Sequence, residues 1–134
     1  MRTINVIEET YIGNCSHATK ARCDNTTQAI AAVDRLNGRD RSTVAFEASD
    51  GTVMTIGGGN RGWYVVFIAS HIDAALLSLT TPEAPADETI ELVAGGQRGS
   101  YPARDCVDRA TVAQAAAYFI SCGGADPGLC WQVG

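Results

Sequence analysis

The sequence predicts an α+β fold: a curved antiparallel β-sheet with an N-terminal and a C-terminal helix packed on one face. Three observations carry that expectation. Apolar residues recur at helical spacing near each end, as Ala29, Ala32, Val33 and Leu36 and again as Val112, Ala115, Ala116, Phe119 and Ile120. Between them the period falls to two, with Val44, Phe46 and Ala48 on one face and Ala45, Glu47 and Ser49 on the other. Strands in sequence with helices at the ends segregate into layers, the helices on one side of the sheet. The 134 residues fit a single domain, 1–134, and leave no room for a second core.

The first helix is expected over 25–36, with Thr and Asn at its cap and Asn37-Gly38 as its stop. Its outward residues Gln28, Asp34 and Arg35 form an ordinary solvated face. Asp50-Gly51 between two alternating runs is a hairpin signal, since both residues accept positive φ. The run from Trp63 to Ala69 is apolar on both faces and predicts a central strand, covered by a helix on one side and at least partly covered on the other. Two further strands are expected at 74–80 and 89–93, separated by a loop holding Pro82, Pro85 and Asp87, with Gly95-Gly96 ending the second. Pro102 limits its neighbourhood to an edge or a turn. Asp108 can cap the last helix, and Gly123-Gly124 terminate it. Trp131, with Leu129 and Cys130 before it, is expected to dock the tail into the core beside that helix.

Hydrophobic residues make up 46% of the chain and charged ones 19%, which excludes disorder as the main state. The apolar run at 63–69 is far short of the ~20 residues that span a bilayer, and Glu8 and Glu9 interrupt the N-terminal region before a signal-peptide core could form. A cytoplasmic protein with no membrane partner is the expectation. The net charge of −5 is concentrated in residues 42–97, which hold seven acids and the single base Arg61. Such a segment repels phosphate, so direct nucleic-acid binding is not expected and a basic protein surface is the fitting partner. The five cysteines are odd in number and lack CxxC spacing, which reads as reduced thiols. Cys15, His17 and Cys23 lack the four closely paired ligands of a structural zinc site, so no metal or other cofactor is expected.

Gly57-x-Gly59-x-x-Gly62 matches the dinucleotide fingerprint in letters alone. A strand follows it where phosphate binding needs a helix start, so it reads as a flexible turn between strands with Arg61 exposed at the tip. His71-x-Asp73 is the one pairing that suggests general-base chemistry, yet no Ser or Cys nucleophile stands beside it in a recognisable elbow.

The strand WYVVFIA, the Gly95-Gly96 turn, the stretch YPARDCVD, the helix ATVAQAAAYFISCGG and Trp131 in CWQVG together resemble the first family of bacterial polymorphic-toxin immunity proteins. The resemblance covers roughly Gly51 onward. It implies an α+β protein with a characteristic C-terminal tryptophan, non-enzymatic and without a cofactor, that binds a cognate deaminase-type toxin and inhibits it by occluding the active site. Trp131 is carried over as a structural residue. An acidic surface suits a toxin that is basic around a nucleic-acid site, and Asp50, Asp73, Glu83, Asp87 and Glu88, all in predicted turns or loop ends, are the interface candidates. The alternatives are a small-ligand or regulatory binding domain using the glycine loop and Trp63, and a small hydrolase or transferase using His71 with Asp73 or a cysteine.

Overall fold

The first element of the computed structural model, which describes residues 3–70 and 76–133, is a long hairpin. Strands β1 (Ile4–Ile12) and β2 (Cys15–Cys23) pair residue for residue from Ile4↔Cys23 to Ile12↔Cys15. Sequence reasoning assigned nothing to this stretch. Every residue of β2 except Cys23 is exposed, so the strand carries no apolar alternation to betray it.

Helix α1 (Thr26–Asp34) follows, two residues shorter at its end than expected. The Asn25 side chain accepts from the Gln28 N–H at 2.9 Å, satisfying an open donor of the first turn, and Gln28 Oε1 accepts from the Asp24 N–H at 2.6 Å, which ties the residue before the cap back onto the helix. Then come β3 (Thr43–Ala48), β4 (Val53–Asn60), β5 (Trp63–Ala69) and β6 (Leu76–Leu79). Strands β7 (Thr89–Ala94) and β8 (Gln97–Pro102) precede a 3₁₀ turn at Ala103–Asp105, and the chain closes with β9 (Val107–Asp108), α2 (Arg109–Cys122) and β10 (Trp131–Val133). The main sheet runs β10-β6-β5-β4-β3-β1-β2, antiparallel throughout, with β9 paired to the start of β5.

Both helices lie on one face of that sheet. Ala29, Ala32 and Val33 of α1 and Val112, Ala115, Ala116 and Phe119 of α2 are buried against Val44, Phe46, Met54, Ile56, Tyr64, Val66 and Ile68. The alanines keep the helices close to the strands, and a bidentate pair from Arg109 to Asp34, both contacts 2.9 Å, ties the start of α2 to the end of α1.

The opposite face is partly covered, as expected for β5, but by an element placed otherwise than expected. The run near 89–93 does not join the main sheet; β7 pairs only with β8, and this small hairpin lies across the other side of β4 and β5. Leu92 and Cys106 are buried there against Val65, with Phe67, Ile90 and Tyr101 packed around them. Polar staples fix its position. Gly95 N–H donates to Thr43 Oγ1 at 2.6 Å, Gly96 N–H to the buried Ser42 Oγ at 2.9 Å, and Val93 N–H to Asn60 Oδ1 at 2.9 Å.

The turns differ too. The Asp50-Gly51 hairpin closes through three residues, because Ala48 pairs with Thr52; only Gly51 takes a left-handed φ (+90°), and Asp50 instead accepts from the Thr52 N–H at 2.9 Å. Two-residue turns with left-handed φ at both positions are Arg61-Gly62 (+54° and +80°), between the paired Asn60 and Trp63, and Gly95-Gly96 (+61° and +78°), between the paired Ala94 and Gln97. Gly57, Gly58 and Gly59 are therefore strand residues and not a flexible loop, with an irregularity of register between Gly58 and Asn60. Their lack of a side chain is a packing requirement. A Cβ on Gly57 would stand 2.8 Å from Ala94 Cβ, one on Gly58 2.8 Å from the Trp63 carbonyl oxygen, and one on Gly59 2.9 Å from the Leu36 carbonyl.

The tail does more than dock. β10 adds an edge strand to β6, with Trp131 opposite Leu79, and the half-buried Trp131 ring donates from Nε1 to the Asp126 carbonyl at 2.9 Å. Trp131→Ala should cost about 3 kcal/mol in chemical denaturation through lost packing and the freed carbonyl. Gly57→Ala should cost about 1–3 kcal/mol by forcing the β7–β8 hairpin outward. Its combination with Ala94→Gly should recover most of that loss in the same measurement, since the clash is between those two side chains.

Candidate partner-binding groove

A groove of about 230 Å³ opens where the start of β5, the loop after β6, the start of α2 and the turn before β10 meet. The residues that give it character are Trp63, Thr81, Glu83, Asp108, Leu129 and Cys130. Trp63 and Asp108 are cross-strand neighbours through the short β5–β9 pairing, and Trp63 is 36% exposed. Two carboxylates line the groove and no Lys or Arg does, so it presents negative charge beside an aromatic ring.

Its walls are held by backbone hydrogen bonds. Thr81 N–H donates to the Arg104 carbonyl at 2.7 Å and its hydroxyl to the Cys106 carbonyl at 2.8 Å, while Arg104 Nε holds the Ala84 carbonyl at 2.8 Å. On the other side Asp126 accepts from the Gly128 N–H at 2.8 Å and from Gln114 Nε2 at 3.1 Å, and its carbonyl receives the Trp131 indole. Trp131 thus fixes the turn that carries Leu129 and Cys130. Asp108 caps α2, and the Thr111 N–H it accepts at 2.9 Å holds its carboxyl below the usual carboxylate range. It stays ionised in mild acid.

The four described acidic candidates do not all converge. Glu83 lines the groove, and Asp87 and Glu88 are exposed in the same loop. Asp50 sits in the turn before β4, whereas Trp63 follows its far end, roughly 25 Å away at ~3.3 Å per strand residue. Asp73, and His71 with it, lie outside the described residues. Asp108 escaped sequence reasoning as a contact, and Trp63 entered it only through the small-ligand alternative. Trp63 reads as the start of a core strand and Asp108 as a helix cap, and nothing local reveals that β9 brings them side by side.

Among the described residues no three His, Cys, Asp or Glu side chains are grouped to hold a metal, and no helix is long and apolar enough to cross a membrane. His17 is exposed on β2. All five cysteines are free: Cys15, Cys122 and Cys130 are exposed, while Cys23 and Cys106 are buried. Burial pushes the Cys106 thiol up to about 11 and raises Cys23 as well, so neither is a ready nucleophile.

The family model described as immunity protein Imm1 matches residues 17–133, and the chain belongs to that family of immunity proteins. Membership implies that it binds a cognate toxin. Neither the comparison with curated proteins nor that with solved structures found a match.

Two outcomes follow from this chemistry. In the native protein an aromatic disulfide reagent should modify Cys15, Cys122 and Cys130 promptly, with Cys23 and Cys106 reacting only on unfolding. The Asp34 carboxyl, held down by the Arg109 hydrogen bonds, and Asp108, held down by the Thr111 amide, both have depressed folded pKa values. Their contribution is therefore present above the unfolded value of about 3.9 and lost as pH falls through the folded values. Unfolding free energy measured against pH should drop in that acid range, and drop less steeply in Asp34→Asn/Asp108→Asn.

Proposed function

We propose that this immunity protein inhibits a deaminase-type toxin by seating the groove at Trp63, Glu83 and Asp108 against the basic rim of the toxin's active site. The observation that carries the reading is the exposed Trp63 beside two carboxylates in a groove that no cation lines. A deaminase acting on nucleic acid admits a flipped or single-stranded base and needs cations around its mouth to hold the phosphates. A groove of opposite charge accelerates encounter and selects such a partner, and the indole supplies the desolvated anchor that charge alone does not. Asp87 and Glu88 extend the negative field along the same loop. Asp50 and Asp73 belong to the wider set of acidic candidates, and the distance between Asp50 and the groove makes Asp50 a peripheral member.

The test is co-expression with the toxin domain encoded beside it, followed by pull-down and a deamination assay with and without the immunity protein. A stoichiometric complex that abolishes deamination supports the reading. Trp63→Ala should raise the dissociation constant about thirtyfold, the equivalent of ~2 kcal/mol. Glu83→Lys/Asp87→Lys/Glu88→Lys should mainly slow association and change its salt dependence, while Asp50→Asn, which keeps the turn's hydrogen bond, should leave affinity within about a factor of two. Native affinity in both groove variants would sink the groove as the interface, and a bound toxin that still deaminates would sink occlusion.

A further inference from the structure

One concavity reverses the charge of the rest of the middle segment. A cleft of about 360 Å³ lies between the loop after α1, the β4–β5 turn and the outer side of the β7–β8 hairpin, and Arg39, Arg61 and Arg98 all line it. Elsewhere the described cations are engaged. Lys20, Arg22, Arg35, Arg41 and Arg109 form ion pairs, and Arg104 holds a carbonyl. The three described guanidiniums with neither an ion pair nor a side-chain hydrogen bond are the three gathered here. Glu91 is the one carboxylate on the lining, so the cleft keeps an excess of positive charge.

The cleft is held by side chains other than the arginines. Asn60 donates to the Gly38 carbonyl at 3.0 Å and accepts from the Val93 N–H, joining all three walls. Asn37 accepts from the Arg39 and Arg41 N–H groups at 2.8 and 3.1 Å and donates to Asp40 at 2.8 Å. Arg61 is the one described non-glycine residue at positive φ, in a turn position that Asn, Asp or Gly fills with less strain.

We propose that this cleft binds a small polyanion through a chain of two or more phosphoryl groups. A lone carboxylate would leave most of the guanidinium forks unmatched, whereas a di- or triphosphate offers each an oxygen pair. No aromatic side chain lines the cleft, so the phosphoryl chain is the recognised part and a nucleoside attached to it contributes little. The site stands apart from the toxin groove: it is formed by other residues, and its occupancy does not require the toxin reading to hold.

Calorimetric titration of the whole protein with sodium tripolyphosphate, at a fixed ionic strength of about 0.15 M, tests this. One saturable site per chain is expected. Arg61→Gly removes a guanidinium while relieving the turn, so it should stay folded and bind about tenfold more weakly, as should Arg98→Gln. Arg22→Gln, on the exposed β2 strand, should bind as the native protein does. ATP should match tripolyphosphate within about threefold, and adenosine should not bind. Lack of saturable binding, equal weakening by Arg22→Gln and Arg61→Gly, or binding of adenosine as tight as that of ATP would each overturn the proposal.

Discussion

The backbone of β4 is approached closely along Gly57, Gly58 and Gly59, and the rest of the molecule is arranged around that contact. Ala94 of the small hairpin meets Gly57, the Trp63 carbonyl meets Gly58, and the Leu36 carbonyl at the end of α1 meets Gly59. Any side chain on these residues would displace a neighbouring element. The close contact lets the β7–β8 hairpin settle on the sheet and brings the end of α1 to the β4–β5 turn. Packing this dense has no slack to absorb a methyl group without strain.

That turn lies between two clefts. Arg61 faces the concavity shared with Arg39 and Arg98, and Trp63, two residues on, belongs to the groove with Glu83 and Asp108. A net acidic protein thus carries clefts of opposite charge on adjacent sides of one hairpin. The Imm1 membership accounts for a surface that meets a toxin. The positive cleft lies outside the acidic surface by which the proposed toxin would be recognised, and its separate walls let it be tested alone.

The tail illustrates how structure and site share residues. Trp131 pairs with Leu79 as an edge-strand residue, and its indole holds the Asp126 carbonyl, which sets the turn bearing Leu129 and Cys130. One wall of the groove therefore depends on a ring that lies partly in the core. Asp108 has the same double character, because the carboxylate that caps α2 is also part of the groove's charge.

The sequence by itself determined the parts whose signal is local. The caps at Asn25 and Asp108, the apolar stripes of both helices, the alternation through β3 and the two-sided burial of β5 are each written within a dozen residues, and all are present in the structure. That the chain is an immunity protein with a toxin as its partner was legible as well, through the order of strand, alanine-rich helix and terminal tryptophan. What needed the tertiary structure was every pairing between distant segments. β2 has no apolar face, so only β1 reveals it; the glycine run reads as a loop until Ala94 and Leu36 are seen against it. Trp63 and Asp108 become neighbours only through β9, and the three free arginines come from three separate segments, the loop after α1, the β4–β5 turn and β8. Periodicity records whether a residue faces the core, but not which distant residue stands beside it, and a binding site is made of the second kind of information.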